Sequence, residues 1–270
     1  MRDGELPSNE DDLPHDVRPC PVCGGAAHER IFAQRFAAVS GASLHAGYDV
    51  VVCSRCGAGF ADRIPAQPAF DAYYRDMSKY EYHQRDGAES EYDRKRMEVI
   101  AAVVAPYIPS PDSRILDIGC ASGSLLHLLR QRGFVSVTGM DPSPGCAQTA
   151  RRLYDLRVVT ATLDDLPTIG ERFDFAILVG VLEHVRELSS ALAAVRSALS
   201  PRGRIYVEVP DVLTFTDWSN APFQDFSTEH INFFSPTSLA NLMRVNGFVP
   251  VFSEQNARHQ SFGTVMSNIS

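Results

Sequence analysis

The chain has 270 residues, of which 33 are Asp or Glu and 25 are Lys or Arg, for a formal net charge of −8. Hydrophobic residues make up 44% of it, enough to bury a sizeable core. The acidic balance argues against a nucleic-acid partner, whose phosphates need clustered Lys and Arg, and no apolar run reaches the ~18 residues of a membrane span.

Residues 1–17 are acidic and lack the apolar stretch of a signal peptide. They read as a flexible tail, and a cytoplasmic location is expected. Residues 18–64 form a small module bounded by two CxxC pairs, Cys20/Cys23 and Cys53/Cys56, each followed by a glycine. Residues 48–53 read as a strand entering the second pair. Without an export signal, disulfides are the less expected use of these cysteines. Each CxxC turn can present two thiolates to one ion, and four thiolates make a closed tetrahedral zinc site with no open position. Such a metal is structural and adds folding energy to a module this small; thiols without metal are the alternative. Residues 65–110 read as a helical linker in which Tyr73, Tyr74, Tyr80 and Tyr82 alternate with charge. A helix is predicted over 88–105, stopped by Pro106.

Over 111–270 strands and helices alternate. Strands are predicted at 114–118, 135–140, 157–160, 173–179, 204–209 and 248–252, and helices at 124–132, 144–154, 187–199 and 235–246. Residues 173–179 are nearly all apolar, as a parallel strand buried on both faces should be. Residues 259–266 read as an antiparallel edge strand. The fold class is α/β, a doubly wound and mostly parallel sheet, preceded by the small cysteine module.

The chemistry concentrates where strands end. Ile115-Leu-Asp117-Ile-Gly119-Cys120-Ala121-Ser-Gly123 reads as a buried strand running into a tight glycine turn and then a helix. Gly119 permits close approach of a cofactor to the backbone, and Gly123 allows tight helix contact. Asp117 can orient the turn or meet the cofactor's amino group through water. A GxGxxG dinucleotide pattern wants glycine at Ala121 and Ser124, and neither is present. Asp141, followed by Pro142, ends the second strand, where a carboxylate can accept both ribose hydroxyls; helix capping is its other use. Thr162 and Leu163 follow the third strand at the adenine rim. Gly180 and Val181 follow the fourth and can close over the cofactor. Glu183 and His184 are read as capping and bracing the next helix.

Asp-Ile-Gly-Cys-Ala-Ser-Gly, Gly-Met-Asp-Pro-Ser and Gly-Val-Leu-Glu-His-Val, in this order over about residues 113–252, resemble class I methyltransferases that use S-adenosylmethionine (SAM). The four cysteines, the 70–80 segment, Glu208-Val-Pro210 and Glu229-His230-Ile-Asn-Phe-Phe-Ser-Pro236 narrow the likeness to bacterial enzymes with an N-terminal zinc module. These include sugar-nucleotide C-methyltransferases and methyltransferases of polysaccharide or natural-product pathways. The resemblance implies a Rossmann-like fold, SAM as cofactor, and Glu229 and His230 beside the acceptor with His230 as candidate base. Histidine suits that task because its ordinary pKa is about 6.5. Tyr74 and Tyr80, with Tyr73, can reach the cofactor or acceptor, helix packing being the equal alternative. Trp218, Phe223, Phe226 and Phe233 can wall a lid over a small acceptor.

The expected function is SAM-dependent methyl transfer to a small molecule, a sugar or sugar nucleotide, at carbon or oxygen. The alternatives are a polyketide or aromatic natural product as acceptor, and a noncatalytic zinc-bearing binding module. Oligomerisation is left open.

Overall fold

The computed structural model describes residues 17–36, 44–76, 89–217, 223–256 and 261–268. The tail 1–16, Tyr80, Tyr82 and Trp218 lie outside the described residues. Among those described, no helix is long and apolar enough to cross a membrane.

The first three strands, β1 (His28–Arg35), β2 (Gly47–Cys53) and β3 (Gly59–Asp62), form an antiparallel sheet. Strand β2 is buried on both faces, and its alternating side chains serve two cores. Tyr48 and Val50 pack with Phe70, Phe215 and Phe233. Val51 and Cys53 join the core that also holds Leu116, Ile118 and Leu182. Helices α1 (Gln67–Asp76) and α2 (Glu91–Val104) follow. The helix predicted from residue 88 begins at Glu91, because Ser90 caps it and accepts the Asp93 N–H at 3.0 Å.

The second sheet begins with β4 (Ile115–Ile118), α3 (Ser124–Gln131), β5 (Val137–Asp141), α4 (Pro144–Tyr154), β6 (Val158–Thr160) and β7 (Phe173–Val179). It continues with α5 (Leu188–Ala198) and β8 (Leu199–Pro210). Strand β9 (Asn232–Phe233) then leaves to pair with β3 and completes the small sheet in the order β1-β2-β3-β9. Helix α6 (Pro236–Val245), β10 (Phe248–Asn256) and β11 (Ser261–Asn268) end the described chain.

The seven strands run β10-β11-β8-β7-β4-β5-β6. The β8-β7-β4-β5-β6 pairs are parallel, and β11 is antiparallel to both its neighbours. Residues from α2, α3 and α4 pack on one face, and residues from α5 and α6 on the other, as a doubly wound sheet requires. One expectation is corrected here. The antiparallel strand is not at the edge: it lies between β8 and β10, paired along both sides, and β10 forms the edge. Strand alternation is the same in both positions, so local pattern does not separate them.

Candidate active site

The glycine turn lies beyond the carboxyl end of β4. Gly119 and Cys120 donate their N–H groups to the Met140 carbonyl at 2.7 and 3.1 Å. Gly119 has φ +72° and Gly123 φ +84°. A Cβ on Gly119 would meet Val181 at 2.8 Å, and one on Gly123 would meet Leu156 at 2.7 Å. A side chain at either place is therefore strained and clashes. Ala121 also takes a positive φ, +47°, which costs a non-glycine residue about 1–2 kcal/mol. Its N–H donates to Asp141 Oδ2 at 2.9 Å, and the Ser143 N–H donates to Asp141 Oδ1 at 2.9 Å. One carboxylate thus ties the two loops together.

Two adjoining pockets open here, sharing Gly119 and Gly180. The larger encloses about 1130 Å³ of empty space counted out to solvent. Asp141, Pro142, Thr162, Leu163 and Val181 line it. Thr162 caps a 3-10 turn over Leu163–Ile169, with Asp165 accepting its N–H and its hydroxyl, both at 2.9 Å. The smaller pocket is lined by Asp117, Cys120 and Ala121, and by Arg96 of α2. Burial, and then the neighbouring Asp141, push the Asp117 carboxyl up to about 8. Arg96 donates to Glu208 at 2.9 Å, and Tyr206 holds the other oxygen of that carboxylate at 2.8 Å. Glu208 belongs to a segment that carries the resemblance, but its meeting with Arg96 is tertiary and has no local signal.

Tyr74, His184 and Glu229 also line the larger pocket. His184 stands in the short turn after β7, at the carboxyl edge where ligands of such sheets bind. Its Nδ1 lies 2.9 Å from the Tyr74 hydroxyl and 3.0 Å from the Glu229 carbonyl. The Glu229 carbonyl can only accept, whereas the Tyr74 hydroxyl can donate or accept, so a proton on Nδ1 satisfies both contacts. Nε2 is 4.0 Å from Glu183, whose side chain is buried. Tyr73 donates to the Glu229 carboxylate at 3.0 Å.

His230 does not line the larger pocket. Its ring stands edge-on to His184, 4.9 Å between centroids, with Nδ1 3.8 Å from Asp225. The ligand atoms of Glu183, His184 and His230 lie within 4.8 Å of one another. Sequence reading gave His184 only a bracing role, because a histidine at a helix start looks the same either way. Of the expected lid aromatics, the described ones, Phe223, Phe226 and Phe233, are not among the residues lining the pocket. Phe226 packs on Phe215 and Phe233 beneath the small sheet, and Phe223 is 52% exposed.

The four cysteines meet at the base of the small sheet. In each CxxC turn the following glycine donates back, Gly24 to the Cys20 carbonyl at 2.8 Å and Gly57 to the Cys53 carbonyl at 2.9 Å. Sulfur pairs Cys20/Cys56 and Cys23/Cys53 are 3.6 Å apart, and all four sulfurs lie within 4.8 Å of one another. A tetrahedron with zinc–sulfur bonds of about 2.3 Å has edges of about 3.8 Å, so the donor set fits one such ion.

The strand order, with an antiparallel strand set inside the sheet next to its edge, and the turn joined to Asp141 define the class I fold of SAM-dependent methyltransferases. The chain belongs to the methyltransferase domain family, whose model matches residues 90–252. It is 28% identical over 157 residues to a ubiquinone biosynthesis O-methyltransferase of Cereibacter sphaeroides, covering 53% of this chain and 63% of that protein. It is 36% identical over 106 residues to the enzyme so named in Rhizobium rhizogenes, covering 37% of this chain and 42% of that one. The chain thus spans less than two thirds of these relatives' length. Two solved structures share the fold. Magnesium protoporphyrin IX methyltransferase from Synechocystis, with bound S-adenosylhomocysteine, superposes with a TM-score of 0.59 at 18% identity, covering 75% of this chain and 100% of that one. The 1,6-didemethyltoxoflavin-N1-methyltransferase of Burkholderia thailandensis gives 0.59 at 22% identity, covering 80% and 98%.

Proposed function

We propose that this protein transfers a methyl group from SAM to a hydroxyl of an aromatic or related natural product. The observation that carries this reading is the sharing of one cleft by two sets of groups. Asp141 and Gly119 of the glycine turn line it together with His184 and Tyr74, which contact each other.

Bound SAM supplies an electrophilic methyl group on a sulfonium sulfur. The chain's own groups hold and orient the reactants. Asp141 would hold the ribose hydroxyls, and Thr162, Leu163 and Val181 would flank the adenosine. In the smaller pocket Arg96 would hold the methionine carboxylate and Asp117 its ammonium. In the larger pocket, His184 Nε2 takes the proton of the acceptor hydroxyl. Buried Glu183 then favours the imidazolium that forms. His230 and Glu229 back this group, with Glu229 and Tyr74 placed to touch the acceptor. The curated relatives that carry out O-methylation favour a hydroxyl acceptor.

A sugar or sugar nucleotide is the second reading, favoured by the polar Tyr73–Glu229–His184 wall above a four-cysteine module. It ranks second because no Lys or Arg is among the described residues lining the larger pocket, where a diphosphate would need one. We further propose that the cysteines hold a structural zinc ion.

Incubation with labelled SAM and two acceptor panels tests the reading. Methyl ethers on phenolic or related hydroxyls are expected. Methylated sugar nucleotides alone would select the second reading. Label on neither panel, with folded protein that binds SAM, would refute both.

A further inference from the structure

We infer that Arg18 is a positioning residue, which bolts the cysteine module to the two loops that carry His184 and His230 and so sets the geometry of the proton-accepting pair. The inference rests on the proposed use of His184.

Arg18 lies two residues before Cys20 and is 3% exposed. Its backbone N–H donates to Asp62 Oδ1 at 2.6 Å, fastening it to β3. Its side chain then leaves the module. Nη1 donates to the carbonyls of Ile231 at 3.1 Å and Ala61 at 3.4 Å. Nη2 donates to the Asn232 side-chain oxygen at 3.0 Å and to the Arg186 carbonyl. All four N–H bonds of the two terminal nitrogens are in use. Only the planar guanidinium fork offers that many donors in one plane. A buried charge is costly, and an apolar side chain would fill the space at less expense. Packing alone does not account for arginine here.

The acceptors are not scattered. Ile231 follows His230 directly, and Arg186 is two residues past His184. Asn232, held by Arg18, donates its own amide to the carbonyls of Leu182 and Val185, both at 2.7 Å. The Ile231 N–H donates to the Glu183 carbonyl at 2.8 Å. Four carbonyls of the His184 loop, at 182, 183, 185 and 186, are therefore held by Arg18, Ile231 and Asn232. His184 in turn uses its Nδ1–H on the Glu229 carbonyl of the same segment. Which ring nitrogen His184 turns toward an acceptor depends on this register. Misplacing a reacting group by about 1 Å can cost about 100-fold in rate.

The test uses the full chain and two variants, Arg18→Lys and Asn232→Asp. The second keeps an acceptor for Arg18 and removes both donors to the His184 loop. It covers the case in which the arginine variant fails to fold. Three readings are taken: SAM affinity by calorimetry, kcat with its pH profile, and histidine nitrogen NMR. The expected result is SAM affinity within about threefold of the parent, kcat lower by about 10- to 100-fold with a shifted pH profile, and a His184 no longer held in one tautomer. Folded variants with unchanged kcat and an unchanged His184 tautomer would overturn the inference. If the parent methylates no acceptor, the proposed function fails, and the NMR comparison alone decides the positioning claim.

Discussion

In the seven-stranded sheet, β4 is buried along its whole length and β7 almost so, with helices on both faces. In the four-stranded sheet, β1 is exposed over most of its length, and the closing strand is two residues from the far side of the chain. The first holds together by apolar burial. The second buries β2 and β3 but not β1, and adds four clustered sulfurs at one end and the Arg18 fork at the other. His184 and His230, the histidines of the proposed site, stand on the loops where the two sheets meet. In the proposed reading the seven-stranded sheet holds the cofactor and the small module positions the acceptor side.

The largest expected effect breaks that contrast at the cysteines. Zinc sites of this kind contribute about 10–16 kcal/mol of binding free energy to folding. Elemental analysis should find about one zinc per chain. Chelation, or Cys53→Ser, should raise hydrogen exchange in β1–β3 while β4 and β7 stay protected. Equal exchange in both sheets would remove the distinction.

The next effect sharpens the division of labour. His184→Ala should lower kcat by about 10²- to 10⁴-fold with SAM affinity held. His230→Ala should cost less, since that ring does not line the pocket. The reverse order would make His230 the base. On the cofactor side, Asp141→Ala should weaken SAM by about 10- to 100-fold, the worth of hydrogen bonds to a charged group.

The remaining effect is a pH slope. Folded Asp117 keeps its proton up to about 8, whereas its ordinary value is 3.8. Between those values the folded state binds the extra proton, so stability falls as pH rises through that window. Melting temperatures from pH 5 to 8 should fall less in Asp117→Asn than in the parent. Parallel curves would show that the raised value belongs elsewhere.

Legibility in the sequence divides along the same line. Strands β4 and β7 announce themselves as apolar runs, and the glycine turn with Asp141 follows from motif order. The cysteine quartet is legible from spacing. Strand β9 is not, because two residues have no period and their partner lies in β3. The interior place of β11 depends on which neighbours it finds. His184 was visible as a residue but not as a site member, since its partners Tyr74 and Glu229 come from α1 and from the segment before β9. Arg18 reads as one charge near a tail, and only the fold shows the four acceptors around it.

Calorimetric titration of SAM and S-adenosylhomocysteine tests the central claim most directly, since every assignment in the cleft presupposes that cofactor. Micromolar binding at about one site per chain, weakened in Asp141→Ala, is the expected result. Absence of binding to folded, zinc-loaded protein, or binding indifferent to Asp141→Ala, would contradict it.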